Sequence, residues 1–428
     1  PSTRYYYRVG NLLSDEWSEE FHFTSPPLPP FLLSSSSSSS SSSAHTRGID
    51  SSSSTSSSLA SSFSSYFASS SMSSSFINAP PARGVATRAV EEAPSVAAPA
   101  DVLATLAVFG DNGISHNGRQ VINRIRDDHS IDAVVHVGDF AYSLQKGGQW
   151  TVDSELYAAD KQMAWDMWFR MVEPLAAFKP YMAVPGNHET YKFDFHFVPY
   201  AHRFFMPGNS FWYWFDYSSI HFVSVSSDHN YTRGSEQYTW LDAHLTEFNR
   251  ARNAWMRSTH RRGRKAPGSA EAPPADDETE KEWNSAWWLV ALVHRNMYSS
   301  SVSQGSILHL RHELEPLFNK HGVDLVVHGH DHNYERTHPV VKARPHRVEK
   351  SEGVYVKSCA EQMPPIYLRA GTGGIELGSL WDPQPPWSAA VYNEAYGYLR
   401  FTAYANSTLK TEFVSALDTQ IKDTLILI

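Results

Sequence analysis

The stretch Leu103–Asp139, LATLAVFGDNGISHNGRQVINRIRDDHSIDAVVHVGD, decides the fold class. It opens on a short apolar run, Leu103–Phe109, closed by Gly110-Asp111-Asn112-Gly113. A helical segment follows near 118–128, and a second apolar run, Ala133–Val137, ends in Gly138-Asp139. The same alternation continues downstream. Residues 155–177 read as a helix, and Tyr181–Val184 as a strand ending in Gly186-Asn187-His188-Glu189. Trp287–Val293 forms a buried strand ending in His294, and Leu325–Val327 one ending in His328-Gly329-His330-Asp331-His332. Strands that alternate with helices predict an α/β fold with a mainly parallel central sheet, whose ligands bind at the carboxyl ends of the strands. From Ile366 to Ile428 the runs predict antiparallel strands, with Gly371-Thr372-Gly373-Gly374 as a tight turn.

Around this region the composition changes. Residues 34–75 contain 27 serines, opening with an unbroken run from Ser34 to Ser43. So little apolar surface cannot offset the entropy of ordering, so 31–100 is expected to be a disordered linker. Before it, Arg4–Val9 and Trp17–Phe23 read as two strands, too few for a stable unit and therefore the tail of a β-sandwich, domain 1–30. The start at Pro1, without an initiator Met or signal-peptide pattern, reads as a fragment. A stretch at about 256–282, first basic and then acidic, with Pro267, Pro273 and Pro274, is expected to be a disordered surface insertion in the 101–428 domain.

Whole function classes drop out. No run of about 18 consecutive apolar residues exists, which argues against a membrane span. A net charge of −9 argues against a nucleic-acid partner held through phosphates. The lone cysteine, Cys359, excludes a disulfide framework and a cysteine-based metal site and is expected to be structural. The 21 histidines point the other way, because imidazole is the commonest metal ligand. Five strand ends terminate in oxygen or nitrogen donors: Asp111, Asp139, Asn187, His294 and the His330/His332 pair. Each alone has an ordinary explanation in a turn. At successive strand ends of one doubly wound sheet they converge on one rim, which predicts a metal site.

These blocks carry a resemblance. Gly110-Asp111-Asn112-Gly113, Gly138-Asp139-Phe140-Ala141-Tyr142, Gly186-Asn187-His188-Glu189, Val293-His294 and Gly329-His330-Asp331-His332 resemble the five blocks of the metallophosphatases, in the purple acid phosphatase variant. Glu173-Pro174-Leu175, Gly234-Ser235-Glu236-Gln237, Asn333-Tyr334-Glu335-Arg336 and His294-Arg295-Asn296-Met297-Tyr298 agree with it. The resemblance spans about 105–425, and the strand pair near the start is similar to the end of a fibronectin type III-like domain. It implies a four-layer α/β/β/α sandwich preceded by a truncated β-sandwich remnant. Where protein phosphatases and phosphodiesterases of the superfamily carry Asp-x-His, this chain has Gly113, and Tyr142 stands three residues after Asp139. A phenolate thus replaces an imidazole.

The resemblance then implies a metal set. Free tyrosine ionises near pH 10, so a strong Lewis acid is needed, and Fe(III) suits Asp111, Asp139, Tyr142 and His332. Shared Asp139 with Asn187, His294 and His330 suits a divalent Zn, Fe or Mn. The implied activity is that of an acid phosphatase, in which a metal-bound hydroxide attacks phosphomonoesters. Phosphopeptides or nucleotides are further possible substrates. His188 resembles the outer-sphere histidine that contacts phosphate or donates a proton. Plant relatives carry a His pair where this chain has Ser303 and Gln304, which leaves the leaving-group acid open. His328 reads as a strand-end or ligand-orienting histidine, His116 as a solvated one. The sequons at Asn230 and Asn406 favour a secreted or vacuolar/lysosomal glycoprotein. The rival readings are a nucleotide phosphodiesterase or protein phosphatase of the same superfamily, or a non-catalytic metal- or phosphate-binding protein.

Overall fold

The computed structural model describes residues 4–7, 10–11, 16–17, 19, 21–24, 101–142, 154–190, 197–262, 288–346, 349–351, 353–355, 363–381 and 383–428. The serine-rich linker, Cys359 and the insertion beyond Arg262 lie outside them. Among the first residues, Arg4–Tyr7 pairs antiparallel with Phe21–Thr24, and Gly10–Asn11 with Glu16–Trp17.

The order of the main unit is β1 (Val102–Phe109), α1 (His116–Asp127), β2 (Ala133–Val137), α2 (Ser154–Ala176), β3 (Tyr181–Val184), β4 (Tyr213–Tyr217), β5 (Ile220–Val225) and α3 (Glu236–Arg262). It continues with β6 (Trp288–Val293), α4 (Leu308–His321), β7 (Leu325–His328), β8 (Tyr334–Thr337) and β9 (Ile366–Ala370). The last strands are β10 (Ser388–Tyr392), β11 (Gly397–Tyr404), β12 (Leu409–Ser415) and β13 (Ile421–Leu427).

They form two large sheets. In the eight-stranded one, two short strands (349–351 and 354–355) lead into the order β13-β12-β11-β1-β2-β3. The seven-stranded one runs β10-β8-β9-β7-β6-β5-β4. β1, β2 and β3 are parallel neighbours, as are β5, β6, β7 and β9. The strand at Ile366–Ala370, expected to be antiparallel, is therefore partly a correction: it extends the parallel ladder beside β7 and is antiparallel only to β8. A strand reached through intervening chain between β7 and β9 can return in either direction, and the local pattern does not encode which.

Strand side chains alternate between faces, which divides the apolar residues into layers. Leu106, Val108, Val135, Phe222, Val290, Leu292, Val327 and Leu368 form one core between the sheets. Ala107, Phe109 and Val134 face outward onto α1 and α2, where Val121, Ile122, Ile125, Trp165 and Trp168 cover them. Val223, Val225, Leu289 and Ala291 pack outward under Leu241, Leu245, Leu310 and Leu314 of α3 and α4. The result is the four-layer α/β/β/α sandwich. α1 shows why these segments are helices. Ser115 caps its first turn by accepting from the Gly118 N–H at 3.0 Å, and Gly118, Val121, Ile122 and Ile125 make its buried stripe.

One boundary differs from expectation. Residues 256–262, expected to be loop, are helical, because α3 continues to Arg262. Met256–Arg262 contains no helix breaker before Gly263 and Pro267, so the basic stretch prolongs the helix.

Two histidines support this core without joining the metal constellation. His136 is sandwiched between Phe109 and Phe140, with ring centroids 4.5 and 4.1 Å away. His328 is fully buried, donates from Nδ1 to the Val293 carbonyl at 2.8 Å and stacks on Tyr367. Burial pushes both imidazoles down to about 3 from 6.5. Below pH 6.5 the unfolded chain takes up protons that the folded one refuses, so stability is expected to fall as pH drops from about 6.5 towards about 3. Thermal melts across that window check this, with a shallower slope for His328→Asn; identical slopes would contradict it.

Candidate metal centre

The carboxyl ends of β1, β2 and β3 in one sheet and of β6 and β7 in the other meet at one edge of the sandwich, and every residue expected as a ligand lies there or in the loops just beyond. Backbone bonds knit the loops together. Asp111 N–H donates to the Gly138 carbonyl, Gly110 N–H to Ala370, Gly329 N–H to His294, and Gly373 N–H to Gly110. Asn112 adds side-chain bonds, donating to the Gly373 carbonyl at 2.7 Å and accepting from Trp168 Nε1 at 3.0 Å. The Gly371–Gly374 segment thus packs on the first loop.

One group gathers around Asp111, which is fully buried. Tyr142 donates its hydroxyl to Asp111 Oδ1 at 2.9 Å and lies 3.0 Å from His332 Nε2; His332 Nε2 is 3.5 Å from the same carboxylate oxygen. His332 Nδ1 faces the Glu376 carbonyl at 3.0 Å, so Nδ1 carries the proton and the Nε2 lone pair points inward. A second group gathers around Asp139. The donor atoms of Asp139, His294 and His330 lie within 4.8 Å of one another. His294 Nε2 is 3.2 Å from Asp139 Oδ2 and 3.1 Å from Asn187 Oδ1, while its Nδ1 faces the Val137 carbonyl at 2.8 Å. The groups touch where His330 N–H donates to Asp111 Oδ2 at 2.8 Å. His188 donates its backbone N–H to Asp139 Oδ1 at 2.8 Å, lays its ring against Tyr142 with centroids 4.1 Å apart, and is partly exposed.

The backbone is strained where these side chains leave it. Asp111, Asp139, Tyr142 and His330 have φ of 61°, 58°, 49° and 69°. Left-handed backbone in non-glycine residues costs energy and clusters at functional sites. Close approach is equally visible at Gly138, where a Cβ would collide with the His294 ring. Gly113, standing where an imidazole is carried elsewhere, also has positive φ; its Cβ position is 3.7 Å from the Tyr142 ring. The Ile375 side chain fills the space that a larger residue 113 would enter.

The electrostatics call for positive charge. Burial alone would raise the Asp139 carboxyl, but His294 and His188 outweigh it and hold it far below the usual range. Burial would lower His294; Asp139, and after it Asp111, push it up instead, to about 10. Burial, then the Asp111 and Asp139 carboxylates, drives the Tyr142 phenol well above 10. Burial and Asp139 raise Glu189 to about 8; its carboxyl accepts the N–H groups of Asp139, Phe140 and Gly186. In this arrangement the His294 proton supplies charge that a bound cation would supply in its place. Two carboxylates, a phenol, an amide oxygen and three imidazoles, His294 once it releases that proton, make a donor set that fits two metal ions.

Other expected residues are placed elsewhere. His328 serves the core, and His116 is exposed on α1. Ser303 donates to Asp331, and Gln304 contacts His330 Nε2. Three residues went unread as participants. Glu189 lay inside a quoted block. Arg295 and Asp228 are ion-paired beside His330, and Asp228 had a signal, since it follows the end of β5 as Asp111 follows β1.

Residues 104–334 match the family described as Calcineurin-like phosphoesterase, and residues 364–424 the one described as Iron/zinc purple acid phosphatase-like protein C. The chain is 30% identical over 321 residues to acid phosphatase type 7 of Mus musculus, covering 69% of this chain and 60% of that protein. It is 28% identical over 320 residues to "Probable inactive purple acid phosphatase 1" of Arabidopsis thaliana, covering 70% and 43%. The chain therefore spans about 60% of the length of the mouse relative. The structure of a purple acid phosphatase from yellow lupin, Lupinus luteus, superposes with a TM-score of 0.61 at 22% identity, covering 99% of this chain and 59% of that one. At that identity the likeness establishes the fold.

Proposed function

The chain belongs to the calcineurin-like phosphoesterase family, in its purple acid phosphatase branch, and from that premise we propose that it is an acid phosphatase hydrolysing phosphomonoesters at a binuclear Fe(III)–M(II) centre, M being Zn, Fe or Mn. The observation that carries the reading is the Tyr142 hydroxyl, 2.9 Å from Asp111 and 3.0 Å from His332. Asp111, Asp139, Tyr142 and His332 would hold the trivalent ion, and Asp139, Asn187, His294 and His330 the divalent one. Such a pair supplies Lewis-acid charge for the phosphoryl oxygens and lowers the pKa of water.

The protein's own groups do the rest. The Val137 and Glu376 carbonyls hold His294 and His332 in the ligating tautomer. Glu189 fixes the Asp139 loop through three backbone N–H groups. His188, partly exposed and against Tyr142, is placed to contact the phosphate or hold a proton for the leaving alcohol. Small phosphomonoesters, phosphopeptides and nucleotides share the group this edge would bind. No helix among the described residues is long and apolar enough to cross a membrane. Asn230 and Asn406 are exposed, which suits glycosylation and a secreted or vacuolar setting.

The test is metal content, visible absorption and p-nitrophenyl phosphate turnover across acid pH, with Tyr142→Phe as control. Expected are iron, a purple phenolate-to-Fe(III) charge-transfer band absent from the variant, and hydrolysis. A colourless, iron-free, active protein would overturn the metal assignment. Iron-loaded protein without turnover would favour the non-catalytic binding reading.

A further inference from the structure

Arg295 follows His294 at the end of β6, with its side chain 29% exposed. Asp228, beyond the end of β5, grips it from one side: Nε donates at 2.9 and 3.1 Å, and Nη2 at 2.8 Å. This two-pronged pairing fixes the plane of the guanidinium. The remaining nitrogen, Nη1, is turned to the metal-binding edge and lies 3.4 Å from His330 Nε2.

That contact leaves donor capacity unused. Gln304 Oε1 sits 2.6 Å from the same His330 Nε2. A carbonyl oxygen can only accept, so Nε2 carries the proton and has no lone pair for an arginine N–H. It also leaves Nδ1 as the ligating nitrogen of His330. The Nη1 hydrogens therefore face the edge without an acceptor on the imidazole. Ser303 and Gln304, at the positions where plant relatives carry histidines, are turned to Asp331 and His330. A planar, permanently charged donor held beside metal-binding side chains suits a tetrahedral oxyanion.

We propose that Arg295, oriented by Asp228, is a substrate-binding residue whose Nη1 donates to a phosphoryl oxygen of the ester. The proposal rests on the phosphoester reading above and adds a donor that the metal set does not include. Asp228 acts through the arginine and is a positioning residue.

The test uses metal-loaded full chain, wild type and the variants Arg295→Gln, Arg295→Lys and Asp228→Asn, with metal content measured for each. Calorimetry with inorganic phosphate gives Kd; p-nitrophenyl phosphate gives KM and kcat. Arg295→Gln is expected to weaken phosphate binding and raise KM about 10- to 100-fold at unchanged metal content, the range for one charge-assisted hydrogen bond. Arg295→Lys is expected between it and wild type, and Asp228→Asn to weaken phosphate less than Arg295→Gln. Phosphate affinity within about twofold of wild type in Arg295→Gln would overturn the proposal and make the pair a loop strut. If Arg295→Gln loses metal, Arg295→Lys decides, and wild-type affinity there overturns the proposal. Wild type that binds phosphate without hydrolysing it sinks the acid phosphatase reading while leaving Arg295 standing; wild type that does neither sinks both.

Discussion

Asp139→Asn is expected to lower kcat/KM for p-nitrophenyl phosphate by at least about three orders of magnitude, roughly 4 kcal/mol of transition-state stabilisation. The carboxylate stands 3.2 Å from His294 Nε2, and it is the shared ligand in the proposed pair of metal ions. The amide keeps the shape and removes the charge. It also removes the leading influence that holds the His294 imidazole up at about 10 against burial. The predicted signature is loss of at least one metal ion per chain together with activity. A fully metallated Asp139→Asn that turns over within tenfold of wild type would show that the two proposed metal positions do not share this residue.

Glu335→Ala is expected to destabilise the fold by about 3–5 kcal/mol, the cost of leaving a buried charge without its partner. Arg369 is 1% exposed and ion-paired with Glu335 at 2.7 Å. The same carboxylate accepts the Ser300 N–H at 2.9 Å and the Ser388 hydroxyl at 2.6 Å. It thus joins β8, β9 and β10 to the loop that carries Ser303 and Gln304. Denaturant unfolding compares Glu335→Ala with Glu335→Gln, which keeps hydrogen-bonding capacity but removes the same charge and should lose nearly as much. A Glu335→Gln protein close to wild type in stability would mean that charge compensation for Arg369 is not the dominant contribution.

The elements near the metal-binding edge were legible because their strands are buried on both faces. Such strands read as unbroken apolar runs, and Leu103–Phe109, Ala133–Val137 and Tyr181–Val184 each stop at a polar turn. The donor residues were legible for the same reason, as polar types placed directly after apolar runs. What stayed hidden depends on contacts distant in sequence. The direction of β9 is set by its pairing with β7, more than thirty residues earlier. Asp228 and Arg295 are 67 positions apart, and nothing local joins them. The left-handed backbone at Tyr142 was hidden too, because a tyrosine gives no local reason for it. The end of α3 was misplaced because charge pattern was read as loop, although the residues up to Arg262 are compatible with helix.

The bonds from Gly110 to Ala370 and from Gly373 to Gly110 have a mechanical meaning. They act as a seam along the edge where the two layers meet, stitched by main chain and therefore indifferent to most side-chain changes. A sandwich sewn in this way cannot breathe there by sliding one layer over the other without tearing the stitches. Entry of an ester and departure of its products must then be timed by loops above the seam, and exchange of those amides with solvent should be among the slowest in the molecule.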